Sequence, residues 1–250
     1  MFEDLLYSQD KGIALLQLNR PGVLNAIRVQ TYLDLIAALT AAEQDEQVNV
    51  IALSGSATAF SAGNDLSDLL PGGNLLAVKE GVAGIFHTLA ALTKPLIIAQ
   101  EGVAIGIGAN ILLHADLAYA GNSTRYSLPF AKIGVTSEGA CSVLLAEAVG
   151  PKVASELLLS GRFFSASEAQ QWGLLNQVTE DGEALDNAMA IARQISKNSQ
   201  GSIRAIKRLA KEEGHVERVD RAVAIEMQLF AELLQTEETQ LRIKQVLSKQ

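Results

Sequence analysis

The sequence predicts an α/β fold built on parallel strands, and three observations predict it. Ile13 to Leu18, Val48 to Leu53 and Leu96 to Ala99 are short apolar runs rich in β-branched residues and bounded by turn formers, the mark of buried strands. Between the first two, Tyr32, Leu35, Ile36 and Leu39 recur at i, i+3, i+4 and i+7 while Asp34, Glu43, Gln44 and Asp45 face water, which predicts an amphipathic helix. Strand, helix, strand at this spacing calls for right-handed parallel crossovers. With 250 residues, 48% of them hydrophobic, the chain can bury one large core, alone or with a small appendage.

Past residue 138 the signals turn helical. Gly139 to Val149 reads as a helix, and Pro151 and Gly161 bracket another over Lys152 to Ser160. Ser165 and Glu168 have the spacing of a capping box for a helix that stops at Gly173, and a short strand follows over Leu174 to Val178. From Ala184 onward only helices are expected. In the last region Ile225, Leu229 and Leu233 form an apolar stripe beside Phe230 and Leu234, suited either to another subunit or to the chain's own core. Leu69-Leu70-Pro71-Gly72-Gly73 reads as a mobile loop.

Composition narrows the function classes. A net charge of −8 gives no general attraction to nucleic acid or anionic lipid, so neither is expected as a partner, and a phosphate-bearing ligand needs local basic residues. One cysteine, Cys141, rules out an intrachain disulfide, and His87, His114 and His215 have no metal-ligand spacing, so no metal is expected. Met1-Phe2-Glu3-Asp4 is not a leader, and the apolar stretch at 95–121 is broken by Pro95, Glu101, Asn110 and Asp116, which predicts a cytoplasmic protein without a membrane span. Ser248-Lys249-Gln250 lacks the final leucine of the peroxisomal address it approaches.

Three segments carry chemistry. Phe60-Ser61-Ala62-Gly63-Asn64-Asp65-Leu66 and Gly102-Val103-Ala104-Ile105-Gly106-Ile107-Gly108 are glycine turns after apolar runs, able to aim free backbone N–H groups at one point. Glu138, in Ser137-Glu138-Gly139, is a carboxylate that could move protons there. Together they make a kit for stabilising an enolate. Each has a plainer reading: tight turns for the glycines, and a helix-terminus carboxylate for Glu138. An apolar pocket and a helix end would pull the Glu138 pKa in opposite directions. Cys141 reads as a small buried packing residue, and no GxSxG elbow is present.

Asn19-Arg20-Pro21 with Leu24-Asn25-Ala26, Ala62-Gly63-Asn64-Asp65-Leu66, Lys94-Pro95 with Gly102, the Gly106/Gly108 turn, Asp116 with Ala118, and Leu158-Leu159-Ser160-Gly161 stand in an order and spacing that resembles the enoyl-CoA hydratase/isomerase, or crotonase, superfamily. The resemblance implies a spiral of ββα units over residues 1–195 and an α-helical trimerisation region over 196–250, assembled as a homotrimer or a dimer of trimers. It implies an acyl-CoA thioester substrate, coenzyme A being part of that substrate and no separate cofactor being needed. It assigns the oxyanion-holding amides to Asn64 and Ile107, whose side chains then matter less than the turns, and ligand contact to Ala26, Ala62, Asp65 and Leu66. Lys207 stands where family members often carry a lysine, in a basic cluster with Arg204, Arg208 and Lys211 that could reach the phosphates; a solvated helix face is the alternative.

The acid-base residues then separate the family's reactions. Hydratases carry two glutamates, at positions that here hold Asn110 and Phe130. The context of Glu138 is similar to that of the peroxisomal-type 3-enoyl-CoA to 2-enoyl-CoA isomerases, whose single glutamate is the base. The expectation is therefore an enoyl-CoA isomerase working through a dienolate. The alternatives are an enoyl-CoA hydratase or other acyl-CoA lyase, and a non-catalytic acyl-CoA-binding protein, because a fold does not fix a function. Asn110 either orders a water or a substrate contact or bonds local backbone.

Overall fold

The computed structural model describes residues 2–70 and 72–248, so Pro71 of the expected loop and Lys249 and Gln250 of the terminal tripeptide lie outside the described residues. Two sheets form the frame. The larger has the order β1 (Leu5–Asp10), β2 (Ile13–Leu18), β3 (Val50–Ser54), β5 (Leu96–Gln100), β7 (Leu117–Gly121), β10 (Gln177–Thr179). Its β1–β2 pair is an antiparallel hairpin and the remaining pairs are parallel. The smaller sheet runs β4 (Ala59–Ser61), β6 (Val103–Ile105), β8 (Arg125–Ser127), β9 (Phe163–Ser165), parallel except for its last pair.

From β3 to β8 successive strands alternate between the sheets, and a helix follows each pair. β3 and β4 are followed by α2 (Leu75–Ala91), β5 and β6 by α3 (Ile107–Asn110), and β7 and β8 by α4 (Phe130–Ile133), with α1 (Val29–Gln44) after the first hairpin. This is the expected spiral of ββα turns. β3 is buried on both faces, which is why its sequence is a continuous apolar run. Ile51 and Leu53 point into the main core with α1 and α2, while Val50 and Ala52 meet Ala184, Ala188 and Ala192 of α8 (Ala184–Ser196) on the outer face.

The helical half follows as α5 (Cys141–Val149), α6 (Pro151–Ser160), α7 (Ala166–Gln171), α9 (Gln200–Ala210), α10 (His215–Leu234) and α11 (Glu237–Leu247). Ser165 and Glu168 form the predicted capping box. Two expectations shift. α5 starts at Cys141 rather than Gly139, because Gly139 and Ala140 both take left-handed backbone, φ +73° and +59°. The strand expected over Leu174 to Val178 pairs only at Gln177–Thr179, where the chain first lies alongside β7. Of the expected loop, only Leu69 is in regular structure among the described residues, as the last residue of a 3-10 turn over Leu66–Leu69.

α10 packs against α2 and buries Val219, Val223, Met227 and Phe230, yet leaves Ile225, Leu229 and Leu233 exposed. Of the two destinies weighed for that helix, its buried face takes the chain's own core, and the expected stripe lies outside that core. Among the described residues, no helix is long and apolar enough to cross a membrane.

Candidate active site

The site forms where the ends of β4 and β6 meet the loop before α5. After β4 the chain turns through Gly63 at φ +91°, and after β6 through Gly106 at φ +55°, both in the region that glycine enters without steric cost. The two turns are pressed together. A Cβ on Gly63 would lie 2.8 Å from the Ile105 carbonyl oxygen, and one on Gly108 would lie 2.8 Å from that of Ser61. Around the first turn, Ile27 donates to the Gly63 carbonyl and Asp65 donates to that of Ile27, at 2.8 Å each. The Asn64 amide between them, and the Ile107 amide opening α3, donate to no atom among the described residues. Two unpaired donors on adjoining turns can receive an oxygen that gains negative charge.

Glu138 is 1% exposed. Its two carboxylate oxygens each accept from Asn64 Nδ2 at 3.0 Å, and the Tyr32 hydroxyl donates to Asn64 Oδ1. The Asn64 side chain therefore holds the Glu138 carboxylate, a contact the sequence did not announce, while its own backbone amide stays unpaired among the described residues. Asn110 Nδ2 donates to the Glu138 carbonyl at 2.8 Å, so Asn110 bonds backbone, and that backbone is Glu138's own. Burial brings the His114 imidazole down to about 4, so it is neutral, and its Nε2 lies 2.9 Å from the Gly139 carbonyl.

Electrostatics favour a proton carrier. Burial away from water raises the Glu138 pKa to about 7, against the lowering effect of the Asn64 hydrogen bonds and with a further raising effect from Glu226. Desolvation thus wins the contest left open by the sequence. The helix-terminus reading of Glu138 is removed by a second carboxylate. Glu226 of α10 accepts the N–H groups of Ala140 and Ser142 at 2.8 Å each and the Ser137 hydroxyl at 3.3 Å, so it caps α5 and leaves Glu138 free. Phe130, at one of the vacated glutamate positions, sets its ring 4.0 Å from where a Gly106 Cβ would stand. Cys141 is fully buried and its thiol is pushed well up by desolvation, as suits packing.

The residues expected to contact ligand form a half-buried rim. Ala62 donates to the Leu24 carbonyl at 2.9 Å, and Arg20 joins the Ala26 carbonyl to Asp65, 3.3 Å from its carboxylate. Leu66 follows in the 3-10 turn that Asp65 caps. Lys207 is the exception. Its side chain is 8% exposed, and its ammonium is committed to Asp116 at 2.5 Å and to the Lys94 carbonyl at 2.7 Å, an internal tie between α9 and the sheet. Arg204 and Arg208 on the same helix remain exposed.

Tyr32 and Glu226 were missed by sequence reasoning. Tyr32 reads as one more position of an apolar helix stripe, and its hydroxyl was the one available signal. Glu226 stands 86 positions from Ala140, and nothing in its neighbourhood marks it.

A family model described as enoyl-CoA hydratase/isomerase matches residues 8–249. The 2,3-dehydroadipyl-CoA hydratase of Escherichia coli K12 is 30% identical over 98% of this chain and 96% of its own length. The 1,2-epoxyphenylacetyl-CoA isomerase of the same organism is 33% identical over 78% of this chain and 77% of its own. Among solved structures, an enoyl-CoA hydratase/isomerase from Pseudoalteromonas atlantica T6c superposes with a TM-score of 0.91 at 31% identity, covering 99% of this chain and 98% of that one. The spiral frame, the paired glycine turns and the matches along almost the entire length lead to one conclusion: the chain belongs to the enoyl-CoA hydratase/isomerase family.

Proposed function

We propose that this protein is an enoyl-CoA isomerase that moves the double bond of a 3-enoyl-CoA thioester to the 2-position, with Glu138 as its only proton carrier. In this mechanism the Glu138 carboxylate removes a proton from C2. The electron pair spreads onto the thioester oxygen, the C3–C4 double bond remains conjugated with it, and a dienolate results. The Asn64 and Ile107 amides hold the oxyanion, each donor contributing roughly 2.7–4 kcal/mol by the precedent of such sites. Protonated Glu138 then returns the proton to C4, leaving the double bond between C2 and C3. A pKa of about 7 suits a group that must both take and give the proton near neutrality.

The observation that carries this reading is that, among the described residues, Glu138 is buried with its carboxylate held only by Asn64, while the neighbouring carboxylate of Glu226 is engaged by backbone amides and Ser137. Adding water across a double bond calls for two working carboxylates, and Asn110 and Phe130 offer none. The second reading is hydration, and it is favoured by the full-length likeness to a relative named as a hydratase. In either case the CoA portion rests on the Ala26, Ala62, Asp65 and Leu66 rim. Exposed Arg204 and Arg208 serve the phosphates better than tied Lys207 does.

Glu138→Gln tests the assignment. With a 3-enoyl-CoA substrate, the variant is expected to lose roughly 10²–10⁴ in kcat, the range a positioned acid-base group supplies, while CoA-ester binding stays within a few-fold of wild type. Wild-type turnover in the variant would remove Glu138 from the mechanism. CoA-ester binding by the wild type with no ester turned over would make the protein a binder.

A further inference from the structure

Glu226 belongs to neither the oxyanion turns nor the ligand rim, yet it is a buried carboxylate, 3% exposed, that reaches from the long C-terminal helix to the backbone around Glu138. Its three acceptor contacts fall on residues 137, 140 and 142, which bracket Glu138 on both sides. They also fall where the chain is least able to hold itself. Gly139 and Ala140 are consecutive left-handed residues, and at Ala140 that conformation carries the steric cost of a Cβ. Ala140 is also the N-cap of α5 and has no side chain with which to cap it. The carboxylate of Glu226 supplies the missing cap from 86 positions away and holds the strained turn in place.

We propose that Glu226 is a positioning residue for the acid-base step, its carboxylate fixing the 137–142 turn so that the Glu138 carboxylate meets Asn64 and points to the reacting carbons. This rests on the isomerase reading for the identity of the step, although the positioning itself does not require it. Glu226 acts on Glu138 twice, through the backbone and through its charge, which adds to desolvation in raising the Glu138 pKa. The other groups facing that carboxylate are neutral near pH 7. Asn64 has no charge, burial raises the Tyr32 hydroxyl of α1 and the Cys141 thiol of α5, and His114 behind Gly139 is lowered to about 4. Glu226 is therefore the neighbour whose removal separates the two effects.

The test compares Glu226→Gln and Glu226→Asp with the wild-type full chain. The readouts are kcat and KM on a 3-enoyl-CoA and the Glu138 titration midpoint by isotope-edited carboxyl NMR, which needs no substrate. Glu226→Gln is expected to lower kcat roughly tenfold or more, with KM nearly unchanged, and to move the Glu138 midpoint down towards an ordinary carboxylate. Glu226→Asp keeps the charge but shortens the reach, so kcat falls while the midpoint stays raised. That variant carries the test if the glutamine form does not fold. Unchanged kcat and midpoint in folded variants overturn the proposal while leaving the isomerase reading intact. A wild type that turns over no 3-enoyl-CoA, with a midpoint that still drops in Glu226→Gln, sinks the isomerase reading and supports the Glu226–Glu138 coupling.

Discussion

At the scale of single residues, the raised pKa of Glu138 has two consequences that can be measured separately. The proposed base must be ionised to start the reaction, so kcat/KM for isomerisation should climb with pH up to about 7 and level off above it. A profile flat from pH 5 to 8 would contradict the assignment. Stability runs the other way. A carboxylate whose folded pKa, about 7, exceeds its ordinary value of 4.5 favours the folded state fully below pH 4.5, and that contribution is lost as pH rises to 7. Urea unfolding of wild type against Glu138→Gln should show the wild type losing roughly 2–4 kcal/mol relative to the variant over this window. The site has its pH optimum for chemistry where it costs the fold most.

At the scale of elements, the long strands and the turns were legible in different degrees. The expected bounds of β2 hold at Ile13 and Leu18, because a six-residue apolar run bounded by turn formers has few other uses. β4, β6, β8 and β9 have three residues each, too few for a period to register, and β4 and β6 lead into the glycine turns proposed to hold the oxyanion. Their glycines were visible as letters, but the reason for Gly108 is a contact across the spiral with Ser61. Gly108→Ala isolates that reason, since alanine suits a helix better than glycine does. The added Cβ, 2.8 Å from the Ser61 carbonyl oxygen and 3.0 Å from its Cβ, should push Ile107 off the oxyanion. We expect a fall in kcat between about tenfold and a thousandfold with CoA-ester affinity retained, measured by steady-state kinetics and calorimetry. Equal kcat would show that the turns need not touch.

At the scale of the whole molecule, we propose that the chain assembles as the expected trimer or dimer of trimers through an exposed apolar surface. Ile225, Leu229 and Leu233 repeat every four residues along α10 at 56%, 46% and 38% exposure, and Ile206 and Leu209 lie open on α9 at 64% and 85%. The stripe was readable as a period, but which face the core would take was not, because both faces of α10 are apolar. Sedimentation velocity should give a trimer or hexamer of the 26.6 kDa chain, and Leu209→Asp with Leu229→Asp should reduce it to smaller species. A wild-type monomer at micromolar concentration would contradict this. The same limit explains why Glu226 and Tyr32 escaped the sequence. Folding joins them to Ala140 and Asn64 from 86 and 32 positions away, with no local pattern to announce either contact.

The most direct test of a single-carboxylate isomerase is the product partition from a 3-enoyl-CoA in deuterated water, followed by mass spectrometry and by absorbance of the conjugated thioester. Accumulation of 2-enoyl-CoA without 3-hydroxyacyl-CoA is the predicted result, with any deuterium incorporated reporting exchange of the Glu138 proton. A 3-hydroxyacyl-CoA product would mean that water is being added and that one working carboxylate is not the whole of the machinery.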